Sequence, residues 1–158
     1  MNPQDYMKIA LRQAAKAAAA DEVPVGALVV DPESGRIIAR AYNRCEHGAD
    51  AFAHAEIEVM RKACRKLKQN RLRGMHLYVT LEPCTMCAAA ISFMRVEKLY
   101  FGADDVKGGA VANGVRFYEA PTCHHRPAAE GGILAEECAE ILKSFFRGKR
   151  NKNCRQVP

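Results

Sequence analysis

Two short strings, His-Ala-Glu at residues 54–56 and Pro-Cys-Thr-Met-Cys at residues 83–87, constrain this chain more than any other part of it. Cys84 and Cys87 stand three apart at the start of a helical pattern, so their sulfurs leave nearly the same side of its first turn. Free backbone N–H groups and the positive end of the helix dipole stabilise thiolates there, and the thiolate is the form that binds metal. Two thiolates and one imidazole suit zinc, and three protein ligands leave a fourth position for water. His54, at the start of the preceding helix, is placed to supply the imidazole. Taken alone, a C-x-x-C is as readily a redox pair or two buried thiols, and an isolated H-x-E is common.

The periodicity around these strings alternates strand with helix. Pro3 after Asn2 opens a helix rich in Ala (Met7, Ala10, Leu11, Ala14, Ala18) that ends near Ala20. "VGALVV" reads as a buried strand, "DPESG" as a turn and "RIIARAY" as the antiparallel return. A polar loop from Asn43 leads to a helix from about Ala53 to Lys68, then a strand "MHLYVTL". Pro83 suits the first turn of the next helix. "KLYFG" is a further strand, and residues 102–127, with their glycines and prolines, form a loop long enough to be functional. The last helix covers "ILAEECAEILKSFFR". This order points to an α/β fold, a mostly parallel sheet covered on both faces with a hairpin at one edge. No repeat or linker divides residues 1–158, which are expected to form one domain.

H-x-E followed by P-C-x-x-C is the signature of zinc-dependent nucleobase deaminases. Both halves occur here in that order, each opens a helix, and the second directly follows a strand. The role of Glu56 follows from charge. Two thiolates neutralise the zinc, so its water is acidified less than at a site of three imidazoles. A carboxylate two residues from a ligand is then placed to take the water proton and pass it to the departing amine.

Charge is distributed unevenly. The net charge is +6, yet no acid follows Glu140, and Lys143, Arg147, Lys149, Arg150, Lys152 and Arg155 carry the whole excess. A second run, residues 61–73, holds seven basic residues and no acid. Solvated faces explain either run singly; two on one small domain favour a polyanionic partner. In "FFRGKR", neighbouring Phe145 and Phe146 point about 100° apart, so one is expected in the core. The other is free to stack on an unpaired base while Arg147, Lys149 and Arg150 track phosphates. The chain has no apolar run of membrane-spanning length and its start lacks the order of a secretory signal, so a cytoplasmic protein without membrane association is expected. Seven cysteines without an export signal are read as free or metal-bound thiols.

Beyond the two strings, "EVPVGALVV", "HAEI", "LYVTLEPCTMCAAAI", "YFGADDVKGGA" and "GILAEECAEILKSFFRGKR" make residues 5–152 resemble the bacterial tRNA-specific adenosine deaminases. The resemblance implies the cytidine-deaminase-like fold, a three-layer α/β/α arrangement on a mixed five-stranded sheet, with zinc held between two helix N-termini. It implies a homodimer with active sites near the subunit interface, and one zinc ion per subunit. The implied reaction is hydrolytic conversion of adenosine to inosine at the wobble position of an anticodon, with water attacking C6 of the flipped adenine. In bacteria the implied substrate is the anticodon stem-loop of an arginine tRNA. Matched residue by residue, His54, Cys84 and Cys87 fall on the ligands and Glu56 on the proton carrier. Asn43 falls on the Asn that bonds the flipped base, and Val25 and Gly26 on the strand end beside the pocket. Asp105 and Lys107 fall near the RNA backbone, and the Phe-Phe tail near the anticodon loop.

Three segments depart from the pattern: His124 stands where many members have Asn, Pro127 where a strand residue is common, and "RFYEAP" differs from the usual loop. Pro127 is expected to weaken an edge strand there, and His124 and His125 read as ordinary loop histidines. The competing readings are a deaminase of a free base or nucleoside, such as guanine or cytosine, and a non-catalytic zinc-binding RNA-interaction module with Glu56 idle.

Overall fold

The computed structural model describes residues 1–156, with side chains described for residues 1–151; Lys152, Cys154 and Arg155 of the tail therefore lie outside the described side chains. Helix α1 spans Pro3–Ala19. Its start is fixed by a reciprocal cap: the Asn2 side chain accepts from the Asp5 N–H while the Asp5 carboxylate accepts from the Asn2 N–H. Its buried face is Met7, Ala10, Ala14 and Ala17 with Tyr6 and Gln13, and the small residues let the helix lie close on strand β1 (Gly26–Val30). At Gly26 any Cβ would run into the Ala10 carbonyl and the Ala14 N–H.

Strand β2 (Ile37–Tyr42) returns antiparallel to β1, through a turn in which Asp31 accepts from the Glu33 N–H and the Ser34 hydroxyl. Helix α2 (Ala55–Leu67) crosses to β3 (His76–Leu81), α3 (Thr85–Phe93) to β4 (Lys98–Ala103), and a long loop with one 3-10 turn (Phe117–Glu119) leads to β5 (Ala128–Glu130) and α4 (Ala135–Gln156). The sheet order is β2-β1-β3-β4-β5. Pairs β3–β4 and β4–β5 are parallel, and β1 is antiparallel to both neighbours. The sheet is therefore mixed, as the resemblance implied: β2, β3, β4 and β5 run one way, the mostly parallel arrangement with an edge hairpin that periodicity suggested, and β1 alone runs against them. The opening hairpin reverses β1, and the α2 crossover then sets β3 beside β1 instead of beside β2.

Side-chain alternation along β1 separates two cores. Ala27 and Val29 join Val59, Met60, Ala63 and Ile91 beneath α2 and α3. Leu28 and Val30 join Met7, Ala10, Tyr78, Tyr100 and Cys138 beneath α1 and α4. The result is a three-layer α/β/α stack. Pro127 is buried and directly precedes β5, whose three residues are all exposed; the edge strand is correspondingly short. No described helix is long and apolar enough to cross a membrane. All six described cysteines are free.

Candidate active site

Each of the two strings ends up at a helix N-cap. His54 caps α2 and Cys84 caps α3, both with extended backbone, and neither makes a side-chain cap bond to its own helix. Pro83 stands just before this cap, one residue outside the helix where the sequence placed it within the first turn. Both cap side chains turn instead to a shared point, joined by Cys87 from the first turn of α3. The His54 Nδ1 lies 3.6 Å from the Cys84 Sγ and 3.5 Å from the Cys87 Sγ. The donor atoms of all three lie within 4.8 Å of one another, and they form the one such metal-competent group among the described residues. A tetrahedral zinc with ordinary Zn–S and Zn–N lengths requires S···N edges of about 3.6 Å. The donor set fits zinc in type and in spacing.

The electrostatics of the group follow its surroundings. A hydrogen bond from Cys87, with that from His54, pulls the Cys84 thiol down to about 4 against the effect of burial, so Cys84 is a thiolate. The bond to Cys84 and the nearby Glu56 raise the His54 pKa. Glu56 occupies the second position of α2, lies against Cys87 and is only 4% exposed. Burial pushes its carboxyl up to about 7, with the Cys84 charge adding to the rise. A carboxyl in that range both accepts and returns a proton near neutral pH.

His54, Glu56 and Cys84 form the floor of a cavity of about 240 Å³, with Cys87 buried behind it, and Val23, Val25, Asn43, Leu81, Glu82 and Asp105 also line it. It opens where β1 begins and β3 and β4 end, the customary position of sites on sheets of this kind. Asn43 is 7% exposed, its N–H bonded to the Val25 carbonyl and its side-chain oxygen accepting from the Cys45 thiol at 3.0 Å. Gly26, grouped with the pocket by the sequence reading, is turned away from it: its surroundings are α1 and its N–H bonds the Thr80 hydroxyl. Asp105 lines the cavity, while Lys107 is exposed on the following turn.

The tail is less open than its sequence suggests. Phe145 is half-buried and Phe146 is 44% exposed, the division expected of neighbours on one helix. Arg147 pairs with Glu140 at 2.6 Å and Lys149 with Asp21 at 2.7 Å, both at the surface, and Phe146, Arg147 and Arg150 are the exposed members of the set. His124 is exposed, and the His125 ring bonds the Val96 carbonyl.

Two buried carboxylates went unnoticed in the sequence. Glu22, 1% exposed, accepts the N–H groups of Glu46 and His47 and contacts the His47 ring, so it holds the loop that carries Asn43. Glu82, 2% exposed, holds the loop that carries Asp105. Each follows or precedes an apolar strand and is flanked by Pro within two residues ("DEVPV", "LEPC"), where a lone acid in a core segment is the only available signal. Burial works to raise the Glu22 pKa, but the Glu46 and His47 donors outweigh it and keep the group below its ordinary 4.5. A native pKa below the unfolded one stabilises the fold above that ordinary value and is lost as pH falls through the native value. Glu22→Gln is therefore expected to cost about 2 kcal/mol at neutral pH. In thermal unfolding, its Tm deficit should close as the pH is lowered through the acid range; a deficit that does not change with pH would contradict this role.

The model of the MafB19-like deaminase family matches residues 1–150. A tRNA-specific adenosine deaminase of Agrobacterium fabrum is 57% identical over 145 residues, covering 92% of this chain and 94% of that one. One of Bacillus subtilis is 46% identical over 147 residues, covering 93% and 90%. A solved structure from work on A-to-I editing by tRNA:A34 deaminases at the wobble position superposes with a TM-score of 0.85 at 56% identity, covering 87% of this chain and 99% of that chain. A guanine deaminase from Nitrosomonas europaea, at 24% identity and a TM-score of 0.81, shares the fold.

Proposed function

The chain belongs to the tRNA-specific adenosine deaminase family, and from that premise we propose that it converts adenosine to inosine at the wobble position of a tRNA, in bacteria an arginine tRNA. The observation that carries the reading is the meeting of His54, Cys84 and Cys87 in one metal-competent group whose His54 and Cys84 line one cavity with a buried Glu56. His54, Cys84 and Cys87 would hold a zinc ion, one per subunit. When bound, zinc supplies the Lewis acidity that makes water nucleophilic at neutral pH.

The chain's own groups do the rest. Glu56 takes the proton released as a C–O bond forms at C6 and delivers it to the amino nitrogen as the C–N bond breaks, so that adenosine and water become inosine and ammonia. Its burial keeps that proton from bulk water. Asn43 offers an amide to the base edge, and Val23 and Val25 supply apolar walls for its faces. A nucleotide enters such a floor only when flipped out of its stack, which a single-stranded anticodon loop permits at little cost.

Asp105 and Lys107 lie where the flanking nucleotides would pass. Phe146, Arg147 and Arg150 are the exposed tail residues that would meet the loop, with Phe145 and Lys149 holding the helix end that presents them. Residues 1–158 are read as one deaminase domain. A homodimer is part of the same reading. Phe93, 62% exposed, stands at a groove with Ile57, Met60, Ala90 and Met94 on helices α2 and α3, rimmed by Arg61, Asn70 and Arg71, an apolar strip with a polar rim suited to self-association. A tRNA substrate supports a cytoplasmic location.

The deciding experiment incubates the zinc-loaded protein in parallel with an anticodon stem-loop carrying the wobble adenosine and with free adenine, guanine and cytosine. Inosine in the RNA alone is the expected result. Turnover of a free base without turnover of the RNA would replace this reading with a base deaminase, and no turnover of any would leave a binding module.

A further inference from the structure

Neither metal binding nor proton transfer uses Glu82, although few groups in the chain are so fully engaged. It directly follows β3, and its carboxylate collects five donors from a single loop. The Asp105 N–H and the Asn113 side-chain amide reach Oε1 at 3.0 and 2.6 Å. The consecutive N–H groups of Val111, Ala112 and Asn113 converge on Oε2 at 3.0–3.1 Å. No cation pairs with it among the described residues. A buried carboxylate without a counter-ion persists only where N–H dipoles replace its hydration, and successive backbone N–H groups form such a nest. The surrounding chain is shaped to the same end. Gly109 passes directly over the carboxylate, where any Cβ would strike the Glu82 carboxyl carbon, and Gly114 makes the following turn with φ of +58°.

A charge at this position is a poor device for stability alone. Well-packed apolar side chains serve that purpose as well as buried charges or better. What five converging donors supply is a fixed geometry, and the geometry reaches the cavity: Glu82 stands in its wall with both carboxylate oxygens engaged by the loop, and Asp105 lines it within the clamped segment. We propose that Glu82 is a positioning residue for the deamination, its carboxylate holding segment 105–113 in the arrangement that sets Asp105 at the cavity mouth to receive the substrate strand. This rests on the tRNA reading of the site. On that reading the loss of Glu82 weakens productive docking of RNA more than it slows the chemical step, because its carboxylate bonds segment 105–113 and none of the metal-binding side chains, although Cys84 follows only two residues later.

The test compares Glu82→Gln, Asn113→Ala and Asn113→Asp with the wild type, measuring zinc content, KM and kcat on the anticodon stem-loop, and amide hydrogen exchange across the chain. Glu82→Gln is expected to raise KM about tenfold, with kcat falling by less than KM rises. Asn113→Ala, which removes one donor, should raise KM by about threefold, and Asn113→Asp, which sets two carboxylates together, by more than Ala does. All should retain zinc. The amides of Asp105, Val111, Ala112 and Asn113 should lose exchange protection while those of β1 and β3 keep theirs. An unchanged KM, or unchanged protection across 105–113, overturns the proposal; so does a loss confined to kcat, which marks a purely structural role. If Glu82→Gln does not fold, the two Asn113 variants decide by the same readouts. Wild-type inosine formation is scored first and judges the substrate reading separately, and the exchange data judge the clamp whatever the substrate proves to be.

Discussion

Glu56→Ala protein is expected to bind its zinc in full and to deaminate RNA about 10³-fold more slowly than the wild type. Metal retention follows from the donor set: His54, Cys84 and Cys87 meet at tetrahedral spacing without Glu56. The loss of rate follows from the reaction, which must remove a proton from water and place one on a departing amine. Glu56 is the acid of the cavity whose burial brings its pKa to about 7, near the value that suits both transfers. Glu56→Gln should be as inactive, since an amide of the same shape carries no exchangeable acidic proton. Neither variant should be less stable, because a buried carboxylate without a cationic partner costs folding energy. Metal analysis, single-turnover rates and thermal unfolding together test this. Near-normal turnover by zinc-loaded Glu56→Ala would end the assignment of Glu56 as proton carrier.

The halves of this site were unequally visible in the sequence. Metal-binding residues are restricted in type and spacing, and helix starts are marked by composition, so His54, Cys84, Cys87 and Glu56 stood out before any coordinates. The strands were legible from their apolar runs, and α1 from its Asn-Pro start. The pairing of β1 with β3 was not, because periodicity records which face a residue occupies and not which neighbour its strand will choose; the reversal of β1 relative to β3 is a tertiary outcome. Glu22 and Glu82 were hidden for a related reason. A carboxylate partnered mostly by backbone N–H groups leaves little complementary side-chain pattern in the sequence, and those donors lie 23 to 31 residues away. The tail misled in the opposite direction. Its cations looked unpaired because their partners, Asp21 128 residues from Lys149 and Glu140 seven from Arg147, are distant in sequence or a full two turns along the helix.

Stripping the metal is expected to abolish deamination completely while leaving the fold in place, and zinc alone should restore it. The two apolar cores lie on either face of the sheet and contain neither His54 nor Cys84. The donor group stands at the outer ends of α2 and α3, where its members already bond one another: Cys84 is held as a thiolate by Cys87 and His54. Far-UV circular dichroism of the chelated protein should therefore match that of the loaded form. A ligand present at about 1,000 times its Kd adds about 4 kcal/mol, so for a chain of this size the Tm should fall by about 10 °C on chelation. One additional thiol should also become reactive, that of Cys84, whereas Cys87 stays buried. In small domains that fold only around their zinc, chelation removes the structure itself, and a wholesale loss of helix signal here would mean that the centre organises the fold. Turnover that survives rigorous chelation would mean that the three side chains hold no catalytic metal at all.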